Sequence, residues 1–271
     1  MSESRHTGAT DGSIWRNRYK KVDTRRAKES LGTLGGGNHF IEIDKDDEEN
    51  LYLVIHTGSR NLGLQVAELY QKKAYNAVGG RKQTEVPYEL AYLTGEDMQD
   101  YLVDMAFMQR FAELNRRIIK EVIMDGMKLH EANSFTTIHN YIDTDAMILR
   151  KGAVSAKSGE RLLIPMNMRD GSLVCTGLGN EEWNCSAPHG AGRLYSRKDA
   201  ENNFTLSEFK KQMDGIFTTS VSQETLDESP MAYKPMESIL QNIGETVTVD
   251  CVIRPIYNFK ASERGGRSKS K

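Results

Sequence analysis

The chain of 271 residues contains only three cysteines, six prolines and two tryptophans. Cys175, Cys185 and Cys251 are odd in number, widely spaced and in no C-x-x-C pair. That excludes a disulfide framework and points to a reducing, cytoplasmic setting. No run of about 18 apolar residues occurs, so no membrane-spanning helix is expected. The first six residues, Met1 to His6, lack the apolar stretch of a secretory signal. No internal repeat or low-complexity tract appears, which excludes collagen, solenoids and whole-chain disorder.

What is present is ordinary globular material. Hydrophobic residues make up 38% and charged residues 27%, with 23 glycines. The length allows one large domain or two small ones and can bury about 70–75% of the unfolded surface. The net charge of −2 hides an asymmetry. Residues 1–30 carry eight Lys/Arg against four Asp/Glu, and residues 262–271 carry four against one. The two ends are therefore +4 and +3, which leaves the middle at −9. Basic ends on an acidic body suit weak nucleic-acid contact, although solvated tails are the simpler reading of each end alone.

Residues 1–29 show no clear period and read as a flexible, mostly irregular arm. From Leu31 the texture changes to a Gly-rich loop ending at His39. Strands are expected from Ile41 and over Leu51–Ile55, joined by an acidic turn. Helices are expected over 61–78 and 96–130. In the second, Met98, Tyr101, Met105, Met108, Phe111, Ile119 and Val122 follow the 3–4 spacing of one buried face. Short strands follow at 136–139, 146–150, 161–164 and 172–176. Helical segments are expected within 189–215, clearest at 206–213, and over 235–243. A final strand covers 247–256. The reading is a single α+β domain over residues 30–261, followed by a basic disordered tail at 262–271.

Four of the six histidines share a context. His39 follows Gly35-Gly-Gly-Asn38, His56 ends an apolar strand, His139 ends a strand-like run, and His189 opens His-Gly-Ala-Gly-Arg193. A lone histidine at a strand end is usually structural. Four at loop junctions suggest a metal or phosphate site, because imidazole is the commonest side-chain ligand for borderline metals. Arg60 and Arg193 each stand four residues after such a histidine, and a guanidinium can grip phosphate with two parallel bonds. His130 is placed at the end of the long helix, where a cation is favourable for electrostatic reasons alone. Gly35-Gly-Gly-Asn38 is no Walker A loop, since no Gly-Lys-Ser/Thr follows. A lysine after a strand, such as Lys260, is ordinarily solvated. The segment Glu181–Cys185 has acids and a thiol but no partner spacing.

Taken in order, Leu31-Gly-Thr-Leu-Gly-Gly-Gly-Asn-His-Phe-Ile-Glu42, Val54-Ile-His-Thr-Gly-Ser-Arg60, Ile138-His-Asn140, His189-Gly-Ala-Gly-Arg193 and Tyr257-Asn-Phe-Lys260 resemble the RtcB family of tRNA-splicing and RNA-repair ligases. The resemblance covers residues 30–261. It implies an enzyme joining RNA 3′-phosphate or 2′,3′-cyclic phosphate ends to 5′-hydroxyl ends, with GTP and two Mn²⁺ ions. It implies metal ligation by His39, His56 and His139, and guanylylation of His189. Asn38, Glu42, Ser172, Gly190, Ala191, Gly192, Tyr233 and Lys260 are implied nucleotide contacts. Arg60 and Arg193 resemble residues near the RNA phosphate.

One departure is clear. The family places an Asp-x-x-Cys metal motif before the Gly-rich loop, and no Asp-x-x-Cys occurs in this sequence. The expectation is therefore a domain lacking the family's N-terminal third, with impaired binding of two metals. A missing N-terminal fragment or an activating protein would be its partner. Two other readings compete: a metal-dependent RNA-end phosphatase or phosphodiesterase, and an inactive RNA- or nucleotide-binding fragment.

Overall fold

The computed structural model describes residues 22–80 and 85–261. Most of the expected arm, and all of the tail at 262–271, lie outside the described residues. The part of the arm that is described is ordered. Helix α1 (Thr24–Ser30) starts where the Asp23 side chain accepts a bond from the Arg26 N–H. Ala27 is buried against Leu62, Val66, Tyr70 and Met108. Residues 24–29 are therefore a packed helix, not an irregular segment. Helix periodicity is weak in so short a stretch, which explains why it escapes the sequence.

Strands β1 (Phe40–Lys45) and β2 (Leu51–His56) form an antiparallel hairpin, with Phe40 opposite His56 and Lys45 opposite Leu51. Asp46 organises the turn. Its carboxylate accepts from the Glu48 and Asn50 N–H groups, the Asn50 amide and the Tyr52 hydroxyl. Helix α2 (Arg60–Ala77) leaves directly after this hairpin, and α3 (Gly95–Met127) packs beside it. The buried stripe of α3 includes Met105, Met108 and Ile119, but Val122 is 67% exposed. The helix ends at Met127 because Lys128 turns left-handed, with φ 55°. His130 therefore lies beyond the last turn, and the helix-dipole reading of that residue does not hold.

Strands β3 (His139–Asp143), β4 (Ile148–Ser155), β5 (Arg161–Asn167), β6 (Gly171–Gly177) and β7 (Ser186–Pro188) follow. His139 begins a strand instead of ending one, because pairing with β4 starts at His139 opposite Val154. Short helices α4 (Arg197–Asn203) and α5 (Leu206–Gln212) share the region where one helix was expected. After them come β8 (Phe217–Thr218), α6 (Met236–Leu240) and the long strand β9 (Val247–Phe259).

The larger sheet runs β2-β1-β9-β6-β5, antiparallel throughout, with β8 added parallel to β9. The smaller sheet runs β3-β4-β7. The fold is thus mixed α and β with two antiparallel sheets. The main core sits between them: Leu162, Ile164, Leu173, Val154, Ala187 and Ile243 are nearly unexposed. Each Leu or Ile buried there contributes about 1.5–3 kcal/mol. Val54 of β2 packs with Val174 and Ile253 in a second cluster that also takes in Phe40, which ties the β1–β2 hairpin beside His39 and His56 to the sheet. Among the described residues no helix is long and apolar enough to cross a membrane.

Candidate functional site

Four strand ends converge. His56 closes β2, His139 opens β3, His39 precedes β1 and His189 follows β7. The rings form a row. His39 and His56 have centroids 6.1 Å apart, His56 and His139 5.3 Å, and His139 and His189 5.1 Å. Phe40 stacks on His56 at 5.1 Å and 3°, and the Lys260 ammonium lies 5.6 Å from the Phe40 ring.

The local backbone holds this row from below. Asn115 of α3 is fully buried. Its Oδ1 accepts from the Gly32 and Thr33 N–H groups, and its amide donates to the Thr33 and Gly58 carbonyls and the Thr57 hydroxyl. One side chain therefore ties the loop before His39 to the loop after His56. Arg116 adds a bond to the Thr57 carbonyl at 3.2 Å. Gly35 has φ +80°, and a Cβ there would fall 1.8 Å from the Arg60 guanidinium. Glycine at this position is what lets Arg60 reach His39.

Arg60 Nη1 donates to His39 Nδ1 at 3.1 Å. A guanidinium can only donate, so Nδ1 presents its lone pair. Burial pushes His39 down to about 4, helped by Arg60 and Lys260. Burial and His189 do the same for His139, also to about 4, and burial drives His56 well below its ordinary value. Three neutral imidazoles at pH 7 are the right donors for a divalent metal. The Nδ1 of His139 is buried without a hydrogen-bond partner, which fits an unused ligand atom. In chemistry the set fits a metal. In arrangement no group of three or more His, Cys, Asp or Glu among the described residues is poised to hold one. Arg60 supplies a physical reason, since it occupies the one in-plane lone pair that neutral His39 offers.

The residues that the resemblance assigns to nucleotide contact separate into groups. Ser172 on β6 lies opposite Pro165 on β5, and the Pro165 carbonyl accepts from the Ala191 N–H at 3.1 Å. A Cβ on Gly190 would stand 2.9 Å from that same carbonyl. Ser172, Gly190 and Ala191 thus meet around Pro165, and the Ser172 hydroxyl is buried without a partner. Gly192 holds φ +73° and its carbonyl accepts from the Lys234 N–H. Glu42 is buried on β1 and accepts a bond from the Asn258 amide of β9. Burial and neighbouring Asp44 push Glu42 well above the usual carboxylate range. Asn38 is exposed in the turn before His39.

Lys260 is buried, not solvated as its sequence context suggests. Its Nζ lies 3.1 Å from Glu228 Oε2. The same oxygen accepts from the Tyr233 hydroxyl at 2.6 Å. The other oxygen, Oε1, faces Arg193 Nη1 at 3.3 Å and Arg197 Nη1 at 2.7 Å. Arg193 also donates to the Tyr233 hydroxyl at 3.2 Å and lies over its ring at 5.0 Å. Arg193 is therefore engaged internally. Burial alone would raise Glu228, but Lys260, Tyr233 and Arg197 outweigh it and hold the carboxyl below its ordinary value. Glu228, Asn115 and Phe40 carry this arrangement, and sequence reasoning did not single them out as site residues. Glu181–Cys185 forms a short, largely exposed 3₁₀ turn that stays outside it.

The family described as "tRNA-splicing ligase RtcB" matches residues 2–261. The chain belongs to the RtcB family. The RtcB match begins at residue 2, upstream of the residues where the sequence motifs start. The chain is 32% identical over 252 residues to the "RNA-splicing ligase RtcB" of Escherichia coli (strain K12), covering 85% of this chain and 61% of that protein. It is 30% identical over 284 residues to the "tRNA-splicing ligase RtcB" of Aeropyrum pernix, covering 83% and 58%. It is 27% identical to the RtcB protein of Thermococcus kodakarensis, covering 84% and 58%. This chain thus spans about three-fifths of the length of the curated relatives it matches.

Proposed function

We propose that this chain is an RNA ligase of RtcB type that joins RNA 3′-phosphate or 2′,3′-cyclic phosphate ends to 5′-hydroxyl ends with GTP. The observation that carries the reading is the row of four histidines, with His189 at one end and buried Lys260 beyond the other. Nucleotide binds with its base toward Lys260 and Tyr233 and its phosphates toward the histidines.

An imidazole nitrogen, as His189 offers, is a competent nucleophile toward phosphorus. A ring nitrogen attacks the α-phosphorus of GTP, an N–P bond forms, and the bond to pyrophosphate breaks. A 2′,3′-cyclic end is first opened by water, its P–O2′ bond breaking to leave a 3′-phosphate and a 2′-hydroxyl. An oxygen of the RNA 3′-phosphate then attacks the phosphorus held on His189, which breaks the N–P bond and leaves the RNA end activated. The 5′-hydroxyl attacks the 3′-phosphate, and GMP departs. His39, His56 and His139 would hold Mn²⁺. When bound, that metal supplies charge neutralisation at the phosphates.

The test is sealing. Purified chain, Mn²⁺, GTP and an RNA pair with 3′-phosphate and 5′-hydroxyl ends should give a joined product, lost without GTP and lost in His189→Ala. Removal of phosphate without joining, independent of GTP, would instead assign an RNA-end phosphatase. A second reading is favoured by the lack, among the described residues, of a group of three His, Cys, Asp or Glu poised to hold a metal. In it the chain seals only with a separate polypeptide that supplies further ligands. Activity appearing only on addition of such a polypeptide would establish it.

A further inference from the structure

Glu228 stands at the centre of four donors that come from separate stretches of chain. It is the last residue of the short 3₁₀ helix Gln223–Glu228, and its side chain is 4% exposed. Its two oxygens divide their work. Oε2 takes Lys260 from the end of the chain's last strand and Tyr233 from the segment before α6. Oε1 takes Arg193 from the loop after β7 and Arg197 from the first turn of α4. Arg193 and Tyr233 are also bridged through their backbones and through the hydroxyl contact at 3.2 Å.

A buried carboxylate with this many cationic partners would cost more than it returns if it served stability alone, because apolar packing fills such space as well or better. What it does give is geometry. A lysine ammonium on a four-carbon stem has many rotamers, and a tyrosine hydroxyl can rotate freely. Fixing both on one oxygen holds the ammonium and the hydroxyl beside each other. We propose that Glu228 is a positioning residue: its Oε2 sets Lys260 and Tyr233 for the nucleotide base, while Oε1 holds Arg193 and Arg197 against the same cluster and so keeps the carboxylate itself in place. This rests on the ligase reading above, in which Lys260 and Tyr233 meet the nucleotide. Glu228 itself touches neither substrate.

The test measures binding of mant-labelled GTP and ATP to the full chain with Mn²⁺, in wild type, Glu228→Gln, Glu228→Asp and Tyr233→Phe. Glu228→Gln should weaken GTP at least about tenfold, the size expected when a hydrogen bond to a charged group is lost. The preference for GTP over ATP should fall with it, which a partial loss of folded protein cannot produce. Glu228→Asp keeps the charge and should recover part of the preference. Tyr233→Phe removes one donor and should lower the preference even if Glu228→Gln fails to fold. Wild type that binds GTP, with variants that keep its affinity and preference, would overturn the positioning role alone. Wild type that binds no GTP would overturn the nucleotide reading itself, and the positioning role with it.

Discussion

The imidazoles of His56 and His139 stack 5.3 Å apart at 15°, although 82 residues separate them in sequence. That contact spans the two sheets at the candidate site. His56 ends β2 in the larger sheet, and His139 begins β3 in the smaller one. The site therefore depends both on how the two sheets are held together and on the loops that flank the β1–β2 hairpin.

Asn115→Ala removes a buried amide and leaves the Gly32 and Thr33 N–H groups without their acceptor. Each unsatisfied buried donor costs about 1–3 kcal/mol. Urea unfolding should show a loss of about 2–4 kcal/mol. Nucleotide affinity should fall as well, because both histidine-bearing loops loosen. A stability change under about 0.5 kcal/mol would show that the loops hold themselves.

Gly35→Ala meets two obstacles, a left-handed backbone and the Arg60 guanidinium. A non-glycine residue in that backbone region costs about 1–3 kcal/mol. The collision adds to that cost only while Arg60 is present. A double-mutant cycle should find Gly35→Ala less damaging in an Arg60→Ala background. Equal cost in both backgrounds would mean that Arg60 does not press on this loop.

Arg60→Ala should also tighten Mn²⁺ binding, read directly by calorimetry. It frees the His39 lone pair that Arg60 now takes at 3.1 Å. Weaker binding in Arg60→Ala would show that the arginine supports the ligand set instead of competing with it.

Asp44 gives a pH signature. It is fully buried on β1, and burial pushes it up to about 7 from its ordinary 3.8. A raised acid keeps its proton in the folded state after the unfolded chain has lost it. The Asp44 contribution to stability therefore falls as pH rises from about 4 to about 7 and flattens above that, while the lowered His39 and His139 act oppositely between about 4 and 6.5, so the difference between wild type and Asp44→Asn isolates it. The ceiling is about 4 kcal/mol, at about 1.36 kcal/mol per unit. Asp44→Asn should remove this slope and be the more stable protein at pH 8. Glu228, held low, acts in the other direction and in another window. Its contribution is present above about 4.5 and is lost as pH falls below that. An unchanged slope in Asp44→Asn between pH 4 and 7 would refute the assignment.

Much of the fold was legible where periodicity is long. Helices α2 and α3 and the apolar strand β2 follow the sequence pattern within a few residues. The segment around His139 was shifted, because Thr136, Thr137 and Ile138 favour strand by composition while pairing begins only at His139. The histidines stood out because glycine flanks them and each closes or opens an apolar segment. Glu228 and Asn115 did not. A buried polar residue has no period, and its partners lie 32 and 82 residues away, as with Lys260 and Thr33. Lys260 misled for the same reason, since its burial depends on an acid that local sequence does not reveal.

The most direct measurement is covalent labelling of the chain by GTP carrying radioactive α-phosphate, with Mn²⁺, in wild type and His189→Ala. The account predicts label on the wild-type protein and none on the variant, with both confirmed folded by circular dichroism. A folded wild type without label, or equal label on His189→Ala, would contradict it.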